Sequence, residues 1–200
     1  MSTIVAVVKN NQACIAADSL TSFGDTRQAA EFVSDYEKII AFADNNYMGI
    51  VGSAAHHLVM QNLLQKHADK VDFSDRFHIF ESMRQLHPIL KEEYFLNSKD
   101  EDDDSYESSR VDALIMNRSG IFGLYSLREV DQYTRFWAVG SGAEFALGAM
   151  HVAWDLLDDA AAIARAGIEA GACFDNSSAL PMSSYSLELA PALHEGDVPG

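Results

Sequence analysis

Ser2-Thr3-Ile4-Val5-Ala6-Val7-Val8-Lys9-Asn10-Asn11-Gln12-Ala13-Cys14-Ile15-Ala16-Ala17-Asp18 spells two short apolar runs with a polar pair between them. Residues 3–9 and 12–18 are rich in β-branched and small apolar side chains, and Asn10-Asn11 is a two-residue turn signal. The stretch predicts a β-hairpin that begins almost at the first residue. Working outward, 38–43 and 47–52 form a second strand pair joined by Asp44-Asn45-Asn46. The period then changes. Ala55, Leu58, Val59, Leu63 and Leu64 recur at helical spacing over 54–69, and Phe77, Phe80, Met83, Leu86, Ile89 and Leu90 over 75–95, where Pro88 is expected to kink or interrupt the helix.

Strands resume at 111–117 and 120–126, with Arg118-Ser119 as the turn, and a third over 134–139 ends at Gly140-Ser141-Gly142. Helices are predicted over 143–157 and 159–172, and a last strand over 183–190. Purely parallel βαβ winding fits poorly, because consecutive strands are joined by tight turns. Antiparallel runs alternating with helix pairs predict an α+β fold of four layers, αββα, with two sheets face to face and helices outside each.

A chain of 200 residues, 48% of them hydrophobic, fits one domain over 1–200 with a sizeable core. No run of 18 apolar residues predicts a membrane span. The apolar N-terminus lacks the basic flank and the cleavage pattern of a signal peptide. Cys14 and Cys173 read as reduced thiols of a cytoplasmic protein rather than a disulfide framework. A net charge of −16 with only 14 scattered basic residues argues against nucleic acid and anionic membranes as partners. Part of the acidity is concentrated in a stretch over about 97–109, read as a solvated loop, and about 191–200 reads as a flexible tail.

Two patterns carry no cofactor. Gly140-Ser141-Gly142 lacks the third glycine of a dinucleotide fingerprint, and the seven histidines show no zinc-ligand pair, so neither cofactor nor metal is expected.

The chemistry concentrates at the start. A small second residue permits removal of Met1, and Ser2 would then carry a hydroxyl and a free α-amine on one residue. An α-amine with a pKa near ~8 can act as base toward its own hydroxyl. Asp18 closes the second strand and Lys38 opens the third. An ammonium beside the nucleophile lowers the pKa of hydroxyl and amine, and a carboxylate can hold it in place. By spacing alone these two residues read equally well as surface charges at strand ends.

Several pieces, in common order, resemble the proteasome β-subunit family, especially the ring protease HslV and the bacterial proteasome homologues. Ser2-Thr3-Ile4-Val5-Ala6-Val7 resembles the mature start of that family, with serine in the nucleophile position. Ile15-Ala16-Ala17-Asp18-Ser19, Glu37-Lys38-Ile39, Gly52-Ser53-Ala54-Ala55, Val139-Gly140-Ser141-Gly142-Ala143 and Asp175-Asn176-Ser177-Ser178-Ala179 match its later segments. The resemblance implies Ser2 as nucleophile, Lys38 as the residue that tunes it, and Asp18 as the orienter of Lys38. It implies Ser141, Asp175 and Ser178 as a hydrogen-bonded shell, and the Gly52 N–H as oxyanion donor. Ile50, with Leu20 and Ser22, would form the substrate pocket, and a branched apolar wall at Ile50 predicts a preference for medium-sized apolar side chains. The resemblance further implies self-association into a double ring of six or seven subunits each, seven preferred. Unfolded polypeptides would be the substrates and an ATP-dependent unfoldase a partner.

Departures from the family pattern are the serine itself, Leu20 where arginine is common, Ser22 where threonine is common, and Ala179 where glycine is usual. Thr3 as nucleophile would put Asp18 and Lys38 one residue out of register. The alternative reading is a catalytically weak or inactive ring of the same fold.

Overall fold

The computed structural model describes residues 2–43, 45–99, 107–126 and 129–191. The opening hairpin pairs β1 (Ile4–Lys9) with β2 (Gln12–Asp18). Asn10 and Asn11 both adopt positive φ, 50° and 62°, as the tight turn between them requires and as asparagine tolerates. β10 (Phe136–Val139) and β11 (Met182–Glu188) flank this hairpin, giving a sheet of order β10-β1-β2-β11. The second sheet runs β5 (Ile39–Phe42), β6 (Asn46–Val51), β7 (Asp112–Asn117), β8 (Gly120–Tyr125), β9 (Glu129–Tyr133), each antiparallel to the next.

Alternation along β1 and β2 explains the continuous apolar runs. Val5, Val7, Cys14 and Ala16 face α3 (Ala143–Leu156) and α4 (Ala160–Phe174). Ile4, Ala6, Ala13, Ile15 and Ala17 face the second sheet, where Leu114, Met116 and Ile121 meet them. With both faces buried, neither strand has a polar side to show. α1 (Ala54–Lys66) and α2 (Arg76–Glu92) cover the outer face of the second sheet through Met60, Leu63, Ile79, Met83, Leu86 and Leu90. The order of layers is helix, sheet, sheet, helix, and each buried Val, Leu or Ile contributes about 1.5–3 kcal/mol.

Several expectations need correction. Pro88 does not interrupt α2. It lies on the exposed side, while Leu86, His87 and Leu90 bury the other side and hold the helix through the lost hydrogen bond. Leu58 and Phe77 are 67% and 70% exposed, so neither belongs to the core stripe; Met60 and Ile79 take the buried positions. The predicted strand over 134–139 begins at Phe136, and β9 precedes it. β9 escaped notice because it is an edge strand with only Val130 buried. The small hairpin of β3 (Thr21–Phe23) and β4 (Thr26–Gln28) was also not predicted. Ser98, Ser108 and Ser109, at the ends of the predicted acidic loop, are buried rather than solvated. The Ser108 N–H donates to the Ser98 carbonyl at 3.0 Å, and Glu107 pairs with Lys91. Residues 100–106 of that loop and 192–200 of the predicted tail lie outside the described residues. No helix among the described residues is long and apolar enough to cross a membrane.

Candidate active site

Ile4 pairs with Ala17 in the hairpin register, which brings Thr3 opposite Asp18 and leaves Ser2 one step further out. The Thr3 N–H donates to Asp18 Oδ1 at 2.9 Å, and the Asp18 N–H returns to the Thr3 carbonyl at 3.1 Å. Successive strand residues point to opposite faces. Thr3 therefore joins Val5 on the helix side. Its side chain is fully buried between two glycines: a Cβ would lie 2.0 Å from Thr3 Oγ1 at Gly142 and 2.4 Å from it at Gly171. Thr3 Oγ1 lies 2.7 Å from Ser178 Oγ. Ser178 donates its own proton to Asp175 Oδ2 at 2.6 Å, so Thr3 is the donor between the two hydroxyls. Ser141 Oγ donates to the same Asp175 oxygen at 2.7 Å.

Ser2 has the opposite orientation. It is 6% exposed and lines a cavity of about 330 Å³ together with Lys38, Gly52, Ile50, Leu20 and Ser22. Its carbonyl accepts from the Gly142 N–H at 3.4 Å. Gly140, at φ 98°, approaches so closely that a Cβ there would lie 2.0 Å from the Ser2 oxygen. Only glycine fits that position, by conformation and by space.

Asp18 is the hub behind the cavity. Besides the Thr3 N–H, it accepts from Lys38 Nζ at 2.7 Å, the Leu20 N–H at 3.0 Å and the Ala179 N–H at 3.1 Å. Lys38 also donates to the Leu20 carbonyl at 2.7 Å. Burial draws the Lys38 ammonium below the ordinary lysine range, and the Asp18 carboxylate offsets only part of that fall. Partial burial works to raise the Asp175 carboxyl, but hydrogen bonds from Ser178, Ser141 and the Ser177 N–H outweigh it and hold it below the ordinary range. Gly52, at φ 107°, turns the chain from β6 into α1, whose first turn Ser53 caps by accepting from the Ala55 N–H at 3.3 Å. The arrangement can hold a cation against a fixed carboxylate beside a hydroxyl. Among the described residues no group of three His, Cys, Asp or Glu is placed to hold a metal ion.

BPH from Thiobacillus denitrificans, the bacterial proteasome homologue, is 38% identical to this chain and superposes with a TM-score of 0.87 over 94% of this chain and 99% of that one. The chain belongs to the proteasome β-subunit and HslV family. BPH in complex with epoxomicin superposes at 0.83, again 38% identical, over 94% of this chain and 100% of that one. HslV from Trypanosoma brucei is 20% identical with a TM-score of 0.68 over 93% and 99% of the two chains, a likeness of fold. No protein-family profile matches the chain, and no curated protein does.

In this proteasome-family chain, the residues predicted from sequence fall into two groups. Ser2, Lys38, Gly52, Ile50, Leu20 and Ser22 surround one cavity, with Asp18 behind Lys38. Ser141, Asp175 and Ser178 form a hydrogen-bonded chain that runs to the Thr3 hydroxyl. Sequence reasoning missed Thr3 as the link between the groups, although strand alternation from Val5 would have placed it. It also missed Tyr36 and His57, which line the cavity. Burial draws the His57 imidazole down, against Asp35 and Glu37, which raise it. The 29–38 stretch has no period from which a cavity wall could be read.

Proposed function

We propose that this chain is the peptidase subunit of a self-compartmentalised ring, cleaving unfolded polypeptides through an ester on Ser2 after loss of Met1. The observation that carries the reading is the opposite fate of two adjacent hydroxyls. Ser2 opens on the cavity that holds Lys38 and Gly52, whereas the Thr3 hydroxyl is buried and committed to Ser178. That BPH, 38% identical to this chain, forms a complex with epoxomicin is consistent with this reading.

In the proposed reaction the α-amine of Ser2 takes the proton from Ser2 Oγ as the oxygen attacks the peptide carbonyl. The resulting oxyanion is met by the Gly52 N–H; losing one such donor typically costs ~10²–10³ in rate. The α-ammonium returns its proton to the departing amine as the C–N bond breaks. Water, deprotonated by the same amine, then hydrolyses the ester and restores the hydroxyl. Lys38, kept cationic by Asp18, lowers the pKa of both Ser2 groups. Ser141, Asp175 and Ser178 act by fixing Thr3 and so the position of its neighbour. Ile50 and Leu20 give the cavity an apolar floor that favours medium-sized apolar substrate side chains, with Ser22 at its wall.

The site would face the chamber of a double ring, six or seven subunits in each and seven preferred, fed by an ATP-driven unfoldase. The second reading, a ring of the same fold with little or no turnover, draws on serine standing where threonine is usual. Hydrolysis of a fluorogenic peptide by wild type, Ser2→Ala and Lys38→Ala tests the proposal. Each variant should lose at least about 10³-fold in kcat. Turnover retained in Ser2→Ala would contradict it, and an inactive wild type would favour the second reading.

A further inference from the structure

Lys38 stands at the first position before β5, at the end of a stretch without regular structure from Val33 onward. Its ammonium is held by Asp18 and by the Leu20 carbonyl. Resting on the proposed role of Lys38 at Ser2, we propose that Glu37 is a positioning residue that sets where Lys38 stands relative to Asp18.

Glu37 reaches from the second sheet to the edge of the first. Its Oε1 accepts from the Ser183 hydroxyl at 2.6 Å and from the Ile39 N–H at 2.9 Å, and its Oε2 accepts from the Tyr185 hydroxyl at 3.1 Å. Ser183 and Tyr185 are alternate residues on one face of β11. β11 is the strand beside β2, with Met182 opposite Asp18 and Ser183 opposite Ala17. One carboxylate therefore ties the residue before Lys38 to β11, the strand paired with the one that carries Asp18.

The tie is braced from a second side. The Tyr185 ring stacks on Tyr47 at 4.8 Å and 28°, and Tyr47 lies opposite Ala41 in the β5–β6 pair. Burial first, and then the neighbouring Glu37, push the Tyr185 hydroxyl up, so it remains a donor across the working pH range. β5, Glu37, β11, Tyr185 and Tyr47 thus close a ring of contacts around the mouth between the sheets. A buried ammonium is sensitive to such placement. Small displacement from its carboxylate changes both its hydration and its field at Ser2. The charged groups facing Lys38 are Asp18 and Asp175. Glu37 engages β11 and Ile39 instead, so its effect on Lys38 is one of position.

The test compares wild type with Glu37→Ala, Glu37→Gln and Tyr185→Phe in the native assembly. Two quantities are read: kcat and KM on a fluorogenic peptide, and the pH dependence of Lys38 acetylation by limiting acetic anhydride, resolved by peptide mass spectrometry. Glu37→Ala should lower kcat about tenfold or more with KM little changed. It should also move the Lys38 titration upward, toward the ordinary lysine value. Glu37→Gln keeps an acceptor for Ser183 and Ile39 and should restore both quantities, while Tyr185→Phe should shift both in part. Unmoved Lys38 titration in a folded Glu37→Ala protein overturns the proposal, whether or not kcat falls, because loss of rate alone is what general damage would give. Failure of Glu37→Gln to restore the wild-type values also overturns it. If Glu37→Ala does not fold, Tyr185→Phe decides by the same two readings. If wild type itself shows no turnover, the peptidase reading fails, and the Lys38 titration still decides the place of Glu37.

Discussion

Ser2 and Thr3 carry the same hydroxyl chemistry one residue apart, and the pleat of β1 alone separates them. Thr3 donates to Ser178 inside a fully buried site. Thr3→Val should therefore cost about 1–3 kcal/mol in chemical denaturation, through a broken buried hydrogen bond. Thr3→Ser, which keeps the donor, should cost less. Ser2 sits on the cavity side, where Ser2→Thr should retain turnover, since the added methyl narrows the choice of hydroxyl rotamer. The low Asp175 carboxyl has a consequence in acid. Its folded-state value lies below the unfolded one, so its contribution to stability is full above the ordinary carboxylate value and fades as pH falls through the folded value. Thermal denaturation from pH 6 to pH 3 should show a steeper loss for wild type than for Asp175→Asn. At this scale the sequence left Asp18 and Lys38 open between a nucleophile-tuning pair and strand-end charges, because a 20-residue separation says nothing about the 2.7 Å contact that joins them.

Elements place these residues by close approach, and glycine is the means. Gly171 in α4 touches Thr3, where an added Cβ would lie 2.4 Å from Oγ1 and 2.6 Å from Cγ2. Gly171→Ala should push β1 away from α4, destabilise the chain by about 1–3 kcal/mol and lower turnover through Ser2, measurable by denaturation and peptide hydrolysis on the same sample. Pro88 works in the other direction. On the exposed side of α2 it costs a backbone hydrogen bond without supplying core contact, so Pro88→Ala should stabilise the chain by about 1–2 kcal/mol. The long apolar elements were legible because period and turn chemistry agree in them, as at Asn10-Asn11. β9 and the β3–β4 hairpin were not, because exposed edge strands bury too little to leave a pattern. The helical stripe through α2 was legible, but its continuity at Pro88 was not, because tertiary packing of Leu86 and Leu90 outweighs local propensity.

The whole molecule is acidic, with a net charge of −16, and yet exposes Phe145, Val152, Leu156 and Phe174 on its α3–α4 side. Under the proposed ring architecture, native mass spectrometry should find twelve or fourteen copies of a 22.0 kDa chain rather than one. The α+β layering was legible from element order alone. The central claim concerns the N-terminus, and it is tested most directly by intact-mass spectrometry of the native assembly after treatment with a peptide epoxyketone, followed by peptide mapping. That warhead needs a hydroxyl and an adjacent free amine on one residue. The account predicts a single adduct on a chain that has lost Met1 and begins at Ser2. An unmodified chain, with or without Met1, or an adduct carried by Thr3, would contradict it.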